Sequence, residues 1–172
     1  MVVLPDLIEE GLTTLFCGSA ASYASARSEA YYAGPGNRFW SILQETGLTP
    51  YLFAPTEFRQ LAALGIGLTD LAKNETGMDA DFSTNGYNPA CLLKKVEEYT
   101  PQIIAFTGKR PAAVFMMQAL GIEVAGYGEQ DTRFEKTRIF ILPSPSGAAR
   151  RWWSSEPWHR LAAIHHGIRG TL

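Results

Sequence analysis

The sequence has little of what builds a metal or disulfide scaffold: two cysteines and three histidines in 172 residues. Cys17 and Cys91 stand far apart, matching neither a zinc-ligand spacing nor a disulfide framework, so a reducing cytoplasm is the expected compartment. His159, His165 and His166 fall together near the C-terminus, and neighbouring residues on a helix do not share a face. They read as a solvated helix end rather than a metal site. No apolar run approaches the roughly 18 residues that span a bilayer. The opening segment carries Asp6, Glu9 and Glu10 and no base, which argues against a secretory leader and any membrane role. G-x-G-x-x-G, a Walker lysine and a G-x-S-x-G elbow are all missing, leaving dinucleotide, triphosphate and nucleophilic-serine chemistry without support.

What is present is an ordinary globular composition, 46% hydrophobic and 19% charged. The length suits one domain over residues 1–172, with ample chain for a core. The net charge of −2 conceals an asymmetry. Residues 1–131 hold 8 Lys/Arg against 15 Asp/Glu, whereas residues 132–172 hold 7 against 2. A basic C-terminal quarter on an otherwise acidic chain suggests a local anion-binding surface.

Short apolar runs alternate with helix-like stretches. Strands are expected at residues 12–17 (LTTLFC), 65–71 (GIGLTDL), 102–107 (QIIAFT) and 137–142 (TRIFIL). Helices are expected after Asn37 as far as Thr46, after Thr56 to about Leu64, after Asn88-Pro89 to Tyr99, from Pro111 to Gly121, and from Glu156-Pro157 to about His166. Residues 19–36 and 72–87 read as loops and 123–135 as an irregular excursion. Strands interleaved with helices imply an α/β fold, a mainly parallel four-stranded sheet covered on both faces. In such sheets the site lies beyond the carboxyl ends of the strands. That nominates four tips: Gly18 to Ser22, Thr69-Asp70, Gly108-Lys109, and Ser144 to Arg151.

Each tip has chemistry to offer. Gly18-Ser19-Ala20-Ala21-Ser22 is a turn whose backbone N–H groups can meet a ligand oxygen without a bulky side chain between them. Tyr31 and Tyr32 precede a Gly-Pro-Gly turn and present flat rings suited to stacking on a base. Asn37 offers a donor and an acceptor to a base edge, or else caps the following helix. Asp70 can orient a water or stabilise positive charge on a sugar, or cap the next turn. In the run PSPSGAARRWW, Ser146 and the Gly147 backbone can grip phosphate, with Arg150 and Arg151 adding charge. Trp152 or Trp153 can enter a base stack, and at least one of the two is expected to pack inward. Phe39 and Trp40 are core residues, and Cys17 is buried and inert. No long apolar helix advertises an interface, so a monomer is expected.

These residues resemble the uracil-DNA glycosylase superfamily, nearest the mismatch-specific uracil/thymine-DNA glycosylase branch. The similar segments are LFCG ending at Gly18, AGPGNRFW over 33–40, GIGLTD over 65–70, residues 97–108, and LPSPSG over 142–147. They run in family order from about Leu12 to Arg151. The resemblance implies an α/β/α sandwich that removes a damaged base from DNA with no metal and no cofactor. It places the first catalytic motif at Gly18, Ser19, Ala20 and Ser22 and the second from Ser144 to Arg150. Tyr32 takes the position of the aromatic that stacks on the flipped base, and Ala148 and Arg150 the positions that wedge into the duplex.

The chain also departs from that pattern. Mismatch-type relatives begin the first motif Gly-Ile-Asn-Pro-Gly, and their Asn positions the attacking water. Ala20 stands there in this chain. The Asn or His that opens the second motif is Ser144. Some hypoxanthine- and uracil-excising branches share the Gly-Ser opening and the Ser-Pro-Ser loop. With Ala20 unable to hold water, Asp70 or Asn37 is left to do so, and Ser144 to assist the leaving base. No lysine stands where a Schiff base is implied. The expected activity is monofunctional hydrolysis of uracil from DNA by base flipping. The alternatives are a lesion or abasic-site binding protein without excision, or a hypoxanthine-DNA glycosylase.

Overall fold

The computed structural model describes residues 2–74, 76–77 and 86–170. Much of the loop expected over residues 72–87 therefore lies outside the described residues. Five strands form one sheet: β1 (Thr14–Gly18), β2 (Ile66–Asp70), β3 (Ile103–Phe106), β4 (Gly128–Phe134) and β5 (Thr137–Ile141), in the order β2-β1-β3-β5-β4. The four strands anticipated from sequence are mutually parallel. β4 is an addition, pairing antiparallel with β5 in the stretch that reads as irregular. Its sequence, GEQDTRF, lacks apolar alternation because it is an edge strand, and Glu129 on it pairs with Arg138 of β5 at 2.5 Å. Charge on an edge also discourages pairing with another chain.

Side-chain alternation along the central strands builds two cores, one on each face. Phe16, Ile103, Ala105 and Phe140 point to one side, where they meet α2 (Phe39–Glu45), the 3-10 helix Pro55–Leu64 and α5 (Glu156–Gly170). Cys17, Ile104, Phe106, Ile139 and Ile141 point to the other, under α3 (Pro89–Tyr99) and α4 (Lys109–Phe115). Trp158 is fully buried beneath Phe16 and Phe39, with its indole N–H donating to the Pro143 carbonyl at 3.1 Å.

Local signals decide most helix ends. Asn88 Oδ1 accepts from the Cys91 N–H at 3.1 Å, and Pro89 follows in the first turn, as anticipated. α4 continues through a π-helical turn, Met116–Leu120, to a left-handed Gly121. Thr56 does not cap the 3-10 helix. Pro55 opens that helix, and the Glu57 carboxylate accepts from the Ala54 N–H at 2.7 Å, a stronger charged acceptor. A short helix absent from the sequence reading, α1 (Tyr23–Ser28), interrupts the loop after β1. Its six residues are small or polar, and Ser22 caps it by accepting from the Ser25 N–H.

His165 is also corrected: it is buried rather than solvated. Its ring bonds Thr14 Oγ1 at 2.8 Å and reaches the Leu64 carbonyl at 3.2 Å, tying α5 to the amino end of β1. Burial outweighs the carbonyl bond and lowers its pKa to about 4, so the folded protein holds the neutral ring. The unfolded chain, titrating near 6.5, binds this proton first on acidification. Stability from His165 is therefore complete above pH 6.5 and falls by about 3 kcal/mol as the pH drops to 4. Because buried Asp70 contributes with the opposite sign over the same range, the loss is read as a difference: relative to wild type, His165→Gln should gain about 2 kcal/mol in denaturant unfolding between pH 7 and pH 4.5.

Candidate active site

Because β1, β2, β3 and β5 run parallel, their carboxyl ends open on one edge, and the loops leaving them surround a cavity of about 460 Å³. Gly18, Ser19, Ala20 and Ser22 line it from the end of β1 and the loop that follows, Asp70 from the buried end of β2, and Ser144, Ser146 and Ala148 from the loop after β5. Tyr32 and Asn37 line it from the segment before α2.

Register places the centre. Gly18 ends β1 directly beside Asp70, which ends β2. A Cβ on Gly18 would sit 2.8 Å from Asp70 Oδ1, 3.4 Å from the Tyr32 hydroxyl and 3.5 Å from Thr107 Oγ1. Glycine therefore lets three polar groups from three chain segments converge. Asp70 is only 7% exposed. Burial, opposed by the Lys73 ammonium, raises its carboxyl pKa to about 6, so it is mainly ionised at neutral pH.

Tyr32 holds a left-handed backbone, φ 53°, which turns its ring flat against Phe39 with centroids 3.9 Å apart. Its hydroxyl bonds Thr107 Oγ1 at 3.0 Å. Burial first, then the Asp70 charge, pushes the phenol well above its ordinary pKa, so it stays neutral. Tyr31 is not a second stacking platform. It is 2% exposed, packs on Phe58 and donates to the Pro5 carbonyl at 2.9 Å. Asn37 stands where both the helix start and the cavity can use it. Its Oδ1 accepts from the Phe39 N–H at 2.9 Å at the start of α2, and the residue lines the cavity. Ser144 Oγ accepts from the Ser146 N–H at 3.3 Å, which leaves its own O–H to donate elsewhere.

Basic residues stand both within and outside the cavity lining. Gly147 packs against Pro35 and Gly36, and the exposed Arg150 and Arg151 lie outside the cavity lining. Lys109 and Arg110, at the start of α4, line it instead, with Lys109 Nζ 4.3 Å from the centroid of the Tyr127 ring. Their strand end was legible in the sequence, but no role was assigned to them or to Thr107. Tyr127, from the stretch before β4, carried no sequence signal. Trp153 packs against Trp158, whereas Trp152 is 63% exposed at the cavity edge. Among the described residues, no group of three or more His, Cys, Asp or Glu is placed to hold a metal ion. No described helix is long and apolar enough to cross a membrane.

The sequence profile of the Uracil DNA glycosylase superfamily matches residues 5–166. The chain belongs to that superfamily. Its fold is similar to the solution NMR structure of a provisionally named uracil DNA glycosylase from Methanosarcina acetivorans. That likeness has a TM-score of 0.64 and 23% identity over 96% of this chain and 99% of the other, and at such identity it speaks for the fold. Membership in the glycosylase superfamily supports a hydrolase that removes bases from DNA, and all four strand-end loops of this member contribute to the cavity beyond Gly18.

Gly18→Ala tests the convergence. The added methyl displaces the Asp70 carboxylate, a side-chain end that can yield, so the protein should fold while base excision drops by about 100-fold or more. Circular dichroism and single-turnover rates on one preparation separate the two effects.

Proposed function

We propose that this protein hydrolyses the N-glycosidic bond of deoxyuridine in DNA, holding the everted base in the cavity beyond Gly18 and leaving an abasic site. The observation that carries the reading is the buried, largely ionised Asp70 in the lining of a cavity shared with Tyr32, Asn37 and Ser144. A base in a duplex is out of reach of such a carboxylate, so it must leave the stack. Tyr32, stiffened by Phe39, stacks on the uracil ring. Asn37 turns its amide NH2 to a pyrimidine carbonyl, since its Oδ1 already serves α2.

The glycosidic bond breaks with its electron pair moving to uracil, and positive charge spreads over C1′ and the ring oxygen of the sugar. The Ser144 hydroxyl and the backbone N–H groups of Gly18, Ser19 and Ala20 stabilise the departing anion. Asp70 stabilises the cationic sugar and accepts a proton from the water that adds to C1′. Ala20 has no group for either task. Arg150 and Arg151 outside the cavity, with Ser146, the Gly147 backbone, Lys109 and Arg110 at its margin, engage phosphates on either side of the everted nucleotide. One molecule acting alone suffices for this chemistry.

Single-turnover assays with uracil in single- and double-stranded oligonucleotides test the reading. Alkali-sensitive abasic product is expected, and its absence from both would overturn the assignment. Tight retention of abasic DNA without cleavage would favour a lesion-binding protein, and cleavage of hypoxanthine alone would favour the other glycosylase. The rate should rise from pH 5 to a plateau above pH 7 as Asp70 ionises. Asp70→Asn should lose at least about 100-fold in rate. It should also be the more stable protein at neutral pH. The native carboxyl titrates near 6 against 3.8 unfolded, so ionisation weakens the fold progressively across that window, by up to about 3 kcal/mol above it. Thermal melts at pH 4 and pH 7.5 check the sign: the Asn variant's advantage should appear only at the higher pH.

A further inference from the structure

Beside Asp70, on a second cavity of about 610 Å³ that Asp70 also lines, lies a charge cluster that the reaction described above does not use. Lys73 Nζ stands 4.0 Å from Asp70 Oδ2 and 2.9 Å from Asp6 Oδ1, and it also donates to the Tyr31 hydroxyl at 3.0 Å. Asp6 is gripped on its other oxygen by Lys95 of α3 at 2.5 Å and accepts from the Thr69 hydroxyl at 2.7 Å. The side chains of Lys73, Asp6 and Lys95 are 13%, 16% and 20% exposed, so the cluster is largely but not wholly withdrawn from solvent.

The backbone delivers these groups deliberately. Leu7 pairs antiparallel with Leu68 on the free edge of β2, exchanging two hydrogen bonds of 2.8 and 2.9 Å. Gly67 permits that approach, because a Cβ there would meet the Leu7 carbonyl at 2.6 Å. The Val3 N–H bonds the Lys73 carbonyl at 2.9 Å, pinning the N-terminal segment to the residue whose side chain Asp6 holds.

We propose that Lys73 is a positioning residue for the glycosylase reaction, holding Asp70 ionised, and that Asp6 limits how strongly it does so. The inference rests on the reading of Asp70 given above. Its basis is charge balance. Two ammonium groups and Asp6 leave one positive charge in surplus within a largely buried cluster, and Asp70 cancels it only as a carboxylate. Protonating Asp70 strands that charge, which is costly in such a setting. The other titratable groups near Asp70 are the neutral Tyr31, Tyr32 and Cys17. Lys109 and Arg110 line the same cavity as Asp70, from the start of α4. The directions agree with the arrangement: after burial, Lys73 most strongly favours the carboxylate, Asp6 opposes it and Lys95 favours it.

The test uses two neighbours with opposite expected effects. In Lys73→Met the remaining Asp6–Lys95 pair is neutral, Asp70 loses its counter-charge, and the acidic limb of the single-turnover pH–rate profile should move up by about one to three units. Activity at pH 7 then falls by about twofold to a hundredfold, according to the size of the shift, and recovers as the pH is raised through the new limb, with Lys73→Arg close to wild type. In Asp6→Asn the surplus grows, and the same limb should move down, leaving the variant more active than wild type relative to its own plateau at pH 5.5. General damage to the fold would not move the two limbs in opposite directions. A Lys73→Met profile that is uniformly depressed without a shift, or two variants shifting the same way, overturns the proposal. Carbon-13 NMR titration of the Asp70 carboxyl in the DNA-free protein reads the same shifts without turnover. It decides the cluster's role even if uracil is not the substrate.

Discussion

A carboxylate kept largely out of water at the end of a central strand is the constraint around which this protein is organised. Asp70 ends β2 beside Gly18, and its desolvation is severe enough to move its proton affinity into the physiological range. Such a group is expensive to keep ionised, and the surroundings show how it is sustained. The strand order puts β1 between β2 and β3, so a glycine and a threonine flank the carboxylate where larger residues would crowd it. The N-terminal segment folds back along β2 and delivers the acid that shares Lys73. The site's reactivity and the fold's local instability are two aspects of one buried charge.

The remaining site residues work because the two-sided core holds them still. Phe39 is fully buried between Phe16, Trp40 and Trp158, and the face it turns to Tyr32 is what fixes the tyrosine in its left-handed conformation. Trp158 in turn holds the Pro143 carbonyl, so the loop beginning at Ser144 leaves from an anchored point. Aromatic packing on one face of the sheet thus sets the direction of groups that open onto its edge, and little rearrangement is needed when a planar ligand enters.

Much of this was legible in the sequence, for physical reasons that also explain what was not. The four parallel strands announce themselves through continuous apolar runs, as strands buried on both faces must. Parallel strands in turn bring their carboxyl ends together, which is why Gly18, Asp70 and Ser144 could be nominated as neighbours. β4 was silent because an exposed edge needs polar residues, and α1 because six residues offer too little periodicity to read. The split of the tyrosine pair, Tyr31 inward and Tyr32 toward the cavity, turns on one backbone angle that composition does not encode. His165 looked like a surface residue because its partners, Thr14 and Leu64, are more than a hundred positions away. Tyr127 and the Asp6–Lys73–Lys95 cluster were hidden for the same reason, since charge partners across a fold leave no spacing to recognise.

Two loops that arrive from opposite ends of the chain are joined at their backbones. The Arg38 N–H donates to the Pro145 carbonyl at 2.8 Å, and Gly147 packs so closely on the other loop that a Cβ there would come within 3.2 Å of the Pro35 carbonyl. A tug on the serine-rich segment is consequently felt by the segment that carries Tyr32 and Asn37. Load on either loop is shared by the other, and a backbone held taut at one side would draw the cavity tighter at the other.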